Sequence, residues 1–486
     1  MDLNFRYELL APEIAVAVTA VLVMFADAFR SELNLKRNLL PQISLLGLAV
    51  ALIISLMLGN VSDDFARLVQ IDEFTSFFRV LFIAVTLILI IGSHEYIDKH
   101  VNHVGEFYGL LLFSTVGAML MAGARDLITA YLAIEILSFS LYVAVSLSKN
   151  DPRSGEAALK YVLLGGVASA MLLYGLSFIY GVTGSTQYTE ISTALSAGNA
   201  GFEMALILGL VFVIAGLGFK ASAVPFHMWT PDAYEGAPIP ITAYLSATSK
   251  AATFALFLRW FAGPFLPAID HWQWILALLS VITMIVGNLV ALQQHNIKRL
   301  LAYSSIGQVG FMLMCITAIS AQTGSALLLH LVGYLLTNLA IFMAIIAFYN
   351  RTGKERIEDF KGLAQTNPYL ALVITSGLFS LAGMPLFAGF VTKFILFQSV
   401  VSAGYLWLVV VALVASTVSL YYYLQVIKQM YLYQPEDDGN GSNERWNLTL
   451  TGYLSTGILF VGVVWVGVYA TPFYEFADKA IAPLFT

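Results

Sequence analysis

The sequence predicts an all-α polytopic membrane protein with about 14 transmembrane helices. Three observations predict it. The 486 residues are 59% hydrophobic and only 11% charged, where soluble domains carry about 25% charged residues. The mean hydropathy is +0.80. The apolar residues also fall in continuous runs of about 20, the length a helix needs to cross the hydrocarbon. A β-barrel would instead show alternation over about 10 residues at a time.

Taken in order, the runs cover roughly 12–29, 39–59, 73–92, 107–123, 126–148, 157–182, 203–223, 238–262, 272–292, 297–319, 325–349, 368–402, 405–430 and 447–469. The first follows Asp2 and Glu8 rather than a basic segment, so it reads as a permanent span and not as a cleavable leader. No soluble domain fits between the spans. The longest polar inserts lie near 183–202, 350–367 and 434–446, and the last, with Glu436 to Asn443, has the composition of a flexible loop.

Lysine and arginine set the orientation. Odd-numbered loops and their edges hold Arg30, Lys36, Arg37, Lys99, Lys149, Arg153, Lys160, Lys298, Arg299, Arg351, Lys354, Arg356, Lys361, Lys428 and Arg445, fifteen in all. The other side holds five: Arg6, Arg67, Arg125, Arg259 and Lys479. This bias places the odd loops in the cytoplasm of a bacterial cell and both termini on the periplasmic side of its inner membrane. The net charge of −6, with no basic patch, argues against nucleic acid. The single cysteine, Cys315, rules out an internal disulfide or a cysteine-ligated iron–sulfur cluster in this chain.

Two spans are broken. The seventh runs into Lys220-Ala221-Ser222-Ala223-Val224-Pro225-Phe226-His227. The twelfth contains Ala382-Gly383-Met384-Pro385-Leu386-Phe387-Ala388-Gly389, with Lys393 close behind. Proline removes a helical hydrogen bond and clashes with the preceding turn. The freed backbone cannot face lipid, so each break must face protein or a wet cavity. Paired broken helices five spans apart suggest an internal repeat, and transporters place their sites at such pairs.

Charge inside the runs is the sharpest signal. An ionised side chain at bilayer depth costs at least roughly 2.5–3.5 kcal/mol. Glu135, Lys220, Lys250 and Lys393 carry that cost and point to ion or proton movement. A Glu135–Lys220 pair would hold Lys220 charged, and separating the two would favour loss of its proton. Lys250 lies among small and hydroxyl residues, about 18 Å from either end of its span at the helical rise, too deep to snorkel. Lys393 is less central. His227 and His330 could relay protons or simply bond local polar groups. Lys160, at a span edge, suits a solvated or lipid-headgroup role equally well. Arg79 reads as structural. Glu13, Asp27 and Asp126 read as solvated span ends, and His94, His100 and His103 as surface residues that match no zinc motif.

Three stretches carry a family resemblance. Lys160-Tyr161-Val162-Leu163-Leu164-Gly165, the segment from Gly216 through Pro225-Phe226-His227-Met228-Trp229-Thr230-Pro231-Asp232-Ala233-Tyr234-Glu235-Gly236-Ala237-Pro238, and Asn296-Ile297-Lys298-Arg299-Leu300-Leu301-Ala302-Tyr303-Ser304-Ser305-Ile306 resemble the antiporter-like membrane subunits of respiratory complex I, nearest the subunit N (subunit 2) type. No room exists for the lateral helix of the larger subunit L.

The resemblance implies two inverted five-helix repeats, spans four to eight (107–262) and nine to thirteen (272–430), after an N-terminal part (1–106) and before a last helix and tail (447–486). It implies that Glu135 and Lys220 form a modulating ion pair, that Lys250 links two half-channels and that Lys393 is the terminal proton site. His227, Lys160 and His330 would be auxiliary. Where the family often has Ser-His on span ten, this chain has Gly307-Gln308, so a protonatable side chain is missing there.

The function expected is proton translocation within an NADH:quinone oxidoreductase, partnered by other membrane subunits and the bilayer. No cofactor is expected in this chain, with NADH, FMN, iron–sulfur clusters and quinone in partner subunits. The alternative is a subunit of a multisubunit sodium/proton antiporter. A sodium site would gather carboxylates at a break, and Glu135 is the one carboxylate read at mid-bilayer. A mere spacer would carry no buried charge.

Overall fold

A backbone inside lipid must satisfy its own polar groups, and in these runs it does so as helix. The computed structural model describes residues 6–30, 32, 36–59, 61–198, 203–434 and 445–485. The acidic loop read at Glu436–Asn443 therefore lies outside the described residues. The helices are α1 (Ala11–Ala28), α2 (Leu39–Met57), α3 (Glu73–His100), α4 (Val104–Gly123), α5 (Leu127–Val145), α6 (Pro152–Thr183), α7 (Tyr188–Ser196), α8 (Glu203–Ala221), α9 (Trp229–Gly236) and α10 (Ile239–Tyr244). They continue as α11 (Lys250–Phe261), α12 (Ile269–Ala291), α13 (Ile297–Thr317), α14 (Ala321–Thr352), α15 (Leu363–Thr366), α16 (Pro368–Ala382), α17 (Ala388–Ser402), α18 (Leu406–Leu432), α19 (Leu450–Val468) and α20 (Thr471–Ile481).

Among the described residues, 13 helical stretches are long and apolar enough to cross a membrane. The remaining expected span, the twelfth, is the pair α16 and α17, each too short to cross alone. The spans therefore match the sequence expectation, and both predicted breaks are present. Span eight carries a third irregularity that hydropathy does not show. A π-helical turn, Leu245–Ser249, separates α10 from α11 immediately before Lys250. Such turns are rare and occur frequently at functional sites.

The two halves are built alike. Asp126 caps α5 and Asn296 caps α13, 170 positions apart, each accepting from two backbone amides of the first turn. Each cap residue also pairs through its backbone with the segment after the next helix, Asp126 with Gln187 and Asn296 with Arg356. The helices in between, α6 and α14, both have 32 residues and both end on a left-handed glycine, Gly184 and Gly353. Five spans per repeat is an odd number, so the second copy runs through the membrane in the opposite sense.

Three features lie outside the sequence reading. A short antiparallel hairpin, β1 (Asp63–Phe65) and β2 (Val69–Ile71), joins α2 to α3. It is held by ion pairs of Arg6 with Asp63 and of Arg125 with Asp64. Three-residue strands leave no signal in a hydropathy window. The helix α7 and the tail helix α20 are amphipathic. α20 lies against α3 and α14, with Phe476 packed on Phe77 and Asp478 accepting from Ser325.

Two residues expected at solvated span ends are buried. Glu13 is 4% exposed and forms a two-point ion pair with Arg79 at 2.7 and 2.9 Å. Asp126 is equally buried as the α5 cap and also accepts from Gln187. Asp27 accepts from the Gly105 amide and pairs with Arg30. Glu13 and Asp126 are satisfied by protein groups in place of water, while Asp27 stays partly exposed. Asp72, the cap of α3, takes a two-point bond from Arg259 at 2.7 Å on each nitrogen. Burial pushes this carboxyl up, but the guanidinium and the Thr75 amide outweigh it and hold it below the usual carboxylate range.

Candidate functional site: buried lysines at two helix breaks

The α8 helix ends at Ala221, and Ser222 turns into the left-handed region at φ 70°. Its last carbonyls would be orphaned in the membrane core. Ser222 N–H donates to Phe219 O at 3.0 Å, and three further donors come from beyond it. Ala223 N–H donates to Gly218 O at 2.7 Å, the Trp229 indole donates to Phe219 O at 2.9 Å, and Lys250 Nζ donates to Ala221 O at 3.0 Å. Lys250 also donates to Ser222 Oγ at 2.9 Å. An ammonium at a helix C-terminus meets the negative end of the helix dipole, a favourable place for a cation.

Lys220 is the penultimate residue of α8 and is 3% exposed. Its Nζ donates to Ser138 Oγ on α5 at 2.7 Å and lies 6.0 Å from the Tyr142 ring centre. Glu135 stands one turn before Ser138 and accepts from Ser169 Oγ on α6. The direct Glu135–Lys220 ion pair expected from the resemblance is not present in this conformation: Lys220 reaches the serine instead. The two serines and Lys220 line one small cavity between α5, α6 and α8.

The second break repeats the plan with a different lysine. α16 ends at Ala382, and its C-cap Gly383 has φ 88°. Lys393, on α17 beyond the break, reaches back to donate to Leu381 O at 2.6 Å, with Ser416 Oγ at 3.5 Å and the Phe311 ring centre at 5.0 Å. Lys393 is 4% exposed, so it does not snorkel. The reach works because α17 starts alongside the last turn of α16. A Cβ on Gly389 would sit 1.7 Å from Ser380 O, a separation only glycine allows. His330 on α14 meets Thr392, the neighbour of Lys393, through Nδ1 at 3.0 Å, and its Nε2 has no protein partner. His227 is buried at the first break with Nδ1 unpartnered.

Lys160 is part of neither break. It joins a charged cluster in which its Nζ meets Glu156 at 2.7 Å and Asp232 at 2.9 Å, while Arg299 holds Asp232 at 2.7 Å and Glu235 at 3.0 Å. Burial pushes the Asp232 carboxyl up, but the hydrogen bonds from Lys160 and Arg299 prevail and hold it below the usual range. Next to this cluster, Lys298 is buried against Glu355 at 3.0 Å and Ala237 O at 3.3 Å. The three motif stretches quoted from the sequence therefore meet at one corner of the molecule. Sequence reasoning missed Ser138, Ser169, Ser222 and this corner. Ser222 stood in the quoted break without a role, and Ser138 left a trace in its three-residue spacing from Glu135, which puts both on one helix face.

A buried cation placed at each helix break defines a membrane transport protein of the broken-helix kind. The family model described as "NADH:quinone oxidoreductase/Mrp antiporter, TM" matches residues 124–419, and the chain belongs to that family. It is 43% identical to the NADH-quinone oxidoreductase subunit N of Moorella thermoacetica over 367 residues, 76% of this chain and 77% of the relative. It is 41% identical to the subunit N of Dehalococcoides mccartyi over 445 residues, 89% of this chain and 91% of that one. Among solved structures, a chain of respiratory complex I from Thermus thermophilus with bound aureothin aligns with TM-score 0.79 at 30% identity, covering 96% of this chain and 98% of that chain. The Mrp complex from Dietzia sp. DQ12-45-1b shares the fold, with TM-score 0.84 at 22% identity over 99% of this chain and 98% of that one.

Proposed function

We propose that the chain is the proton-translocating, subunit N-type membrane subunit of an NADH:quinone oxidoreductase, driven by electron transfer in partner subunits. The observation that carries the reading is the pair of buried lysine–carbonyl contacts, Lys250 on Ala221 O and Lys393 on Leu381 O, one at each break. In this reading Glu135 and Lys220 act as the switch. When Lys220 leaves Ser138 for Glu135, the carboxylate stabilises its proton. When the two part, desolvation favours its loss. The proton then passes along the breaks through Lys250 to Lys393. His227, His330 and Lys160 serve as auxiliary groups, the last by tying α6 to α9. The buried hydroxyls of Thr248, Ser249, Tyr234 and Tyr334 have no protein partner, and groups of that kind take water in membrane interiors.

The charge bias supports odd loops in the cytoplasm and both termini in the periplasm. The matched caps and bridges support division into residues 1–106, a first repeat at 107–262, a second at 272–430 and a closing part at 447–486. The relatives named for the oxidoreductase and the lone mid-span carboxylate favour this reading over a sodium/proton antiporter. The test is proton pumping in vesicles carrying Lys220→Ala, with donor:quinone activity measured and assembly of the complex confirmed. Pumping and turnover should both fall. Wild-type values for both would withdraw Lys220 from any proton path.

A further inference from the structure

We propose that Gln308 is a positioning residue for Lys393, able to hold its amino group in either charge state at the broken end of α16. The proposal rests on the reading of Lys393 as a proton-carrying group. Two donors share one acceptor here: Lys393 Nζ and Gln308 Nε2 both donate to Leu381 O, at 2.6 and 3.2 Å. The two nitrogens therefore flank one carbonyl oxygen. Gln308 is 2% exposed, and its Oε1 has no protein partner.

The repeat supports the assignment independently. Gln308 follows the cap Asn296 by the same count as Ser138 follows the cap Asp126, and Leu381 is penultimate in α16 as Lys220 is in α8. One helix position thus bonds a lysine in the first half and the carbonyl that a lysine shares in the second. In the first half it is a hydroxyl, and in the second a carboxamide.

A backbone carbonyl only accepts, whereas a carboxamide both donates and accepts. The ammonium has three N–H groups and no lone pair. The amine left when one proton departs to water has two N–H groups and a lone pair. Leu381 O can serve the N–H groups of both forms but cannot donate to that lone pair. Gln308 can, once its amide leaves Leu381 O and turns toward Nζ: its free Oε1 is an acceptor for the ammonium, and its N–H is a donor for the amine. Gln308 stays neutral throughout, and no bond other than hydrogen bonds forms or breaks on it. The groups facing Lys393 are Ser416 from α18, the Phe311 ring from α13 and, through Thr392, His330 from α14. Among the described residues no carboxylate forms an ion pair with it, so the amide is placed to balance the two charge states where no fixed charge does.

The test compares Gln308→Leu, Gln308→His and Gln308→Glu in the assembled complex, with Lys393→Ala as control, measuring vesicle proton pumping against pH. Gln308→Leu should slow pumping about tenfold, the scale of one lost charged hydrogen bond. Gln308→His should recover to within about twofold, because imidazole also donates and accepts. Gln308→Glu should move the alkaline limb up by about one pH unit, because a carboxylate favours the ammonium. A Gln308→Leu complex with wild-type rate and profile overturns the proposal. So does an equal loss in all three variants, which marks a packing role. Full pumping by Lys393→Ala would instead overturn the reading of Lys393 itself.

Discussion

At the scale of single residues, the site is a set of buried lysine amino groups whose partners are uncharged. Lys220 on a serine hydroxyl, Lys250 on a serine and a carbonyl, and Lys393 on a carbonyl are each bonded but none is neutralised by a carboxylate in contact. Bonds of this type are strong enough to hold the side chain and weak enough to exchange. Ser138→Ala should therefore lower pumping several-fold, since a hydrogen bond to a charged group is worth about 1.5–3 kcal/mol, and Ser138→Thr should retain it. Equal vesicle pumping by wild type and the alanine variant would contradict this account of Lys220. The lysines were legible in the sequence because charge inside an apolar run has no cheap structural explanation. Their acceptors were not. Serine is common in membrane helices, and a free backbone carbonyl exists only once the break has been folded.

At the scale of elements, the informative unit is the interrupted helix. Proline and glycine announced both breaks, at Pro225 and at Gly383 to Gly389. What they did not announce was the overlap of α17 with the last turn of α16, which depends on the contact of Gly389 with Ser380. Gly389→Ala should force the two half-helices apart by more than the neighbours can absorb. Overpacking of this kind costs typically about 1–3 kcal/mol, and here it should also pull Lys393 off Leu381. The expected outcome is a lower thermal inactivation midpoint together with lost pumping. An unaltered midpoint and rate would show that the overlap is not needed. The π-helical turn before Lys250 was equally invisible, because it changes backbone bonding without changing hydrophobicity.

For the whole molecule, the fold class and the order of spans followed from composition, since the bilayer leaves helix as the available answer for long apolar runs, whereas ends such as that of α3, which runs on to His100, did not. The ion pairs that tie the spans together did not, because they join residues far apart in sequence, as Asp72 joins Arg259. That pair gives a pH prediction. The Asp72 carboxyl lies below its ordinary value in the folded protein, so its contribution is complete above the unfolded value of about 4 and is lost as pH falls through the folded one. Asp72→Asn, which leaves Arg259 buried without its partner, should destabilise by about 3–5 kcal/mol near neutral pH. Thermal inactivation followed down to acid should also lose part of its pH dependence in the variant. A variant that tracks wild type at every pH would remove the pair from the stability of the fold.

The inversion of the second repeat has an electrical consequence. α8 and α16 run through the membrane in opposite senses, so their carbonyl ends, and the ammonium groups seated on them, point to opposite sides. A charge carried fully across a membrane works against about 2.3 kcal/mol per 100 mV, and a side chain leaving its seat crosses a fraction of that field. A potential that eases departure of the Lys250 ammonium from Ala221 along the axis of α8 opposes the corresponding departure of Lys393 from Leu381. If the two lysines carry charge as proposed, the two seats should respond to voltage with opposite sign.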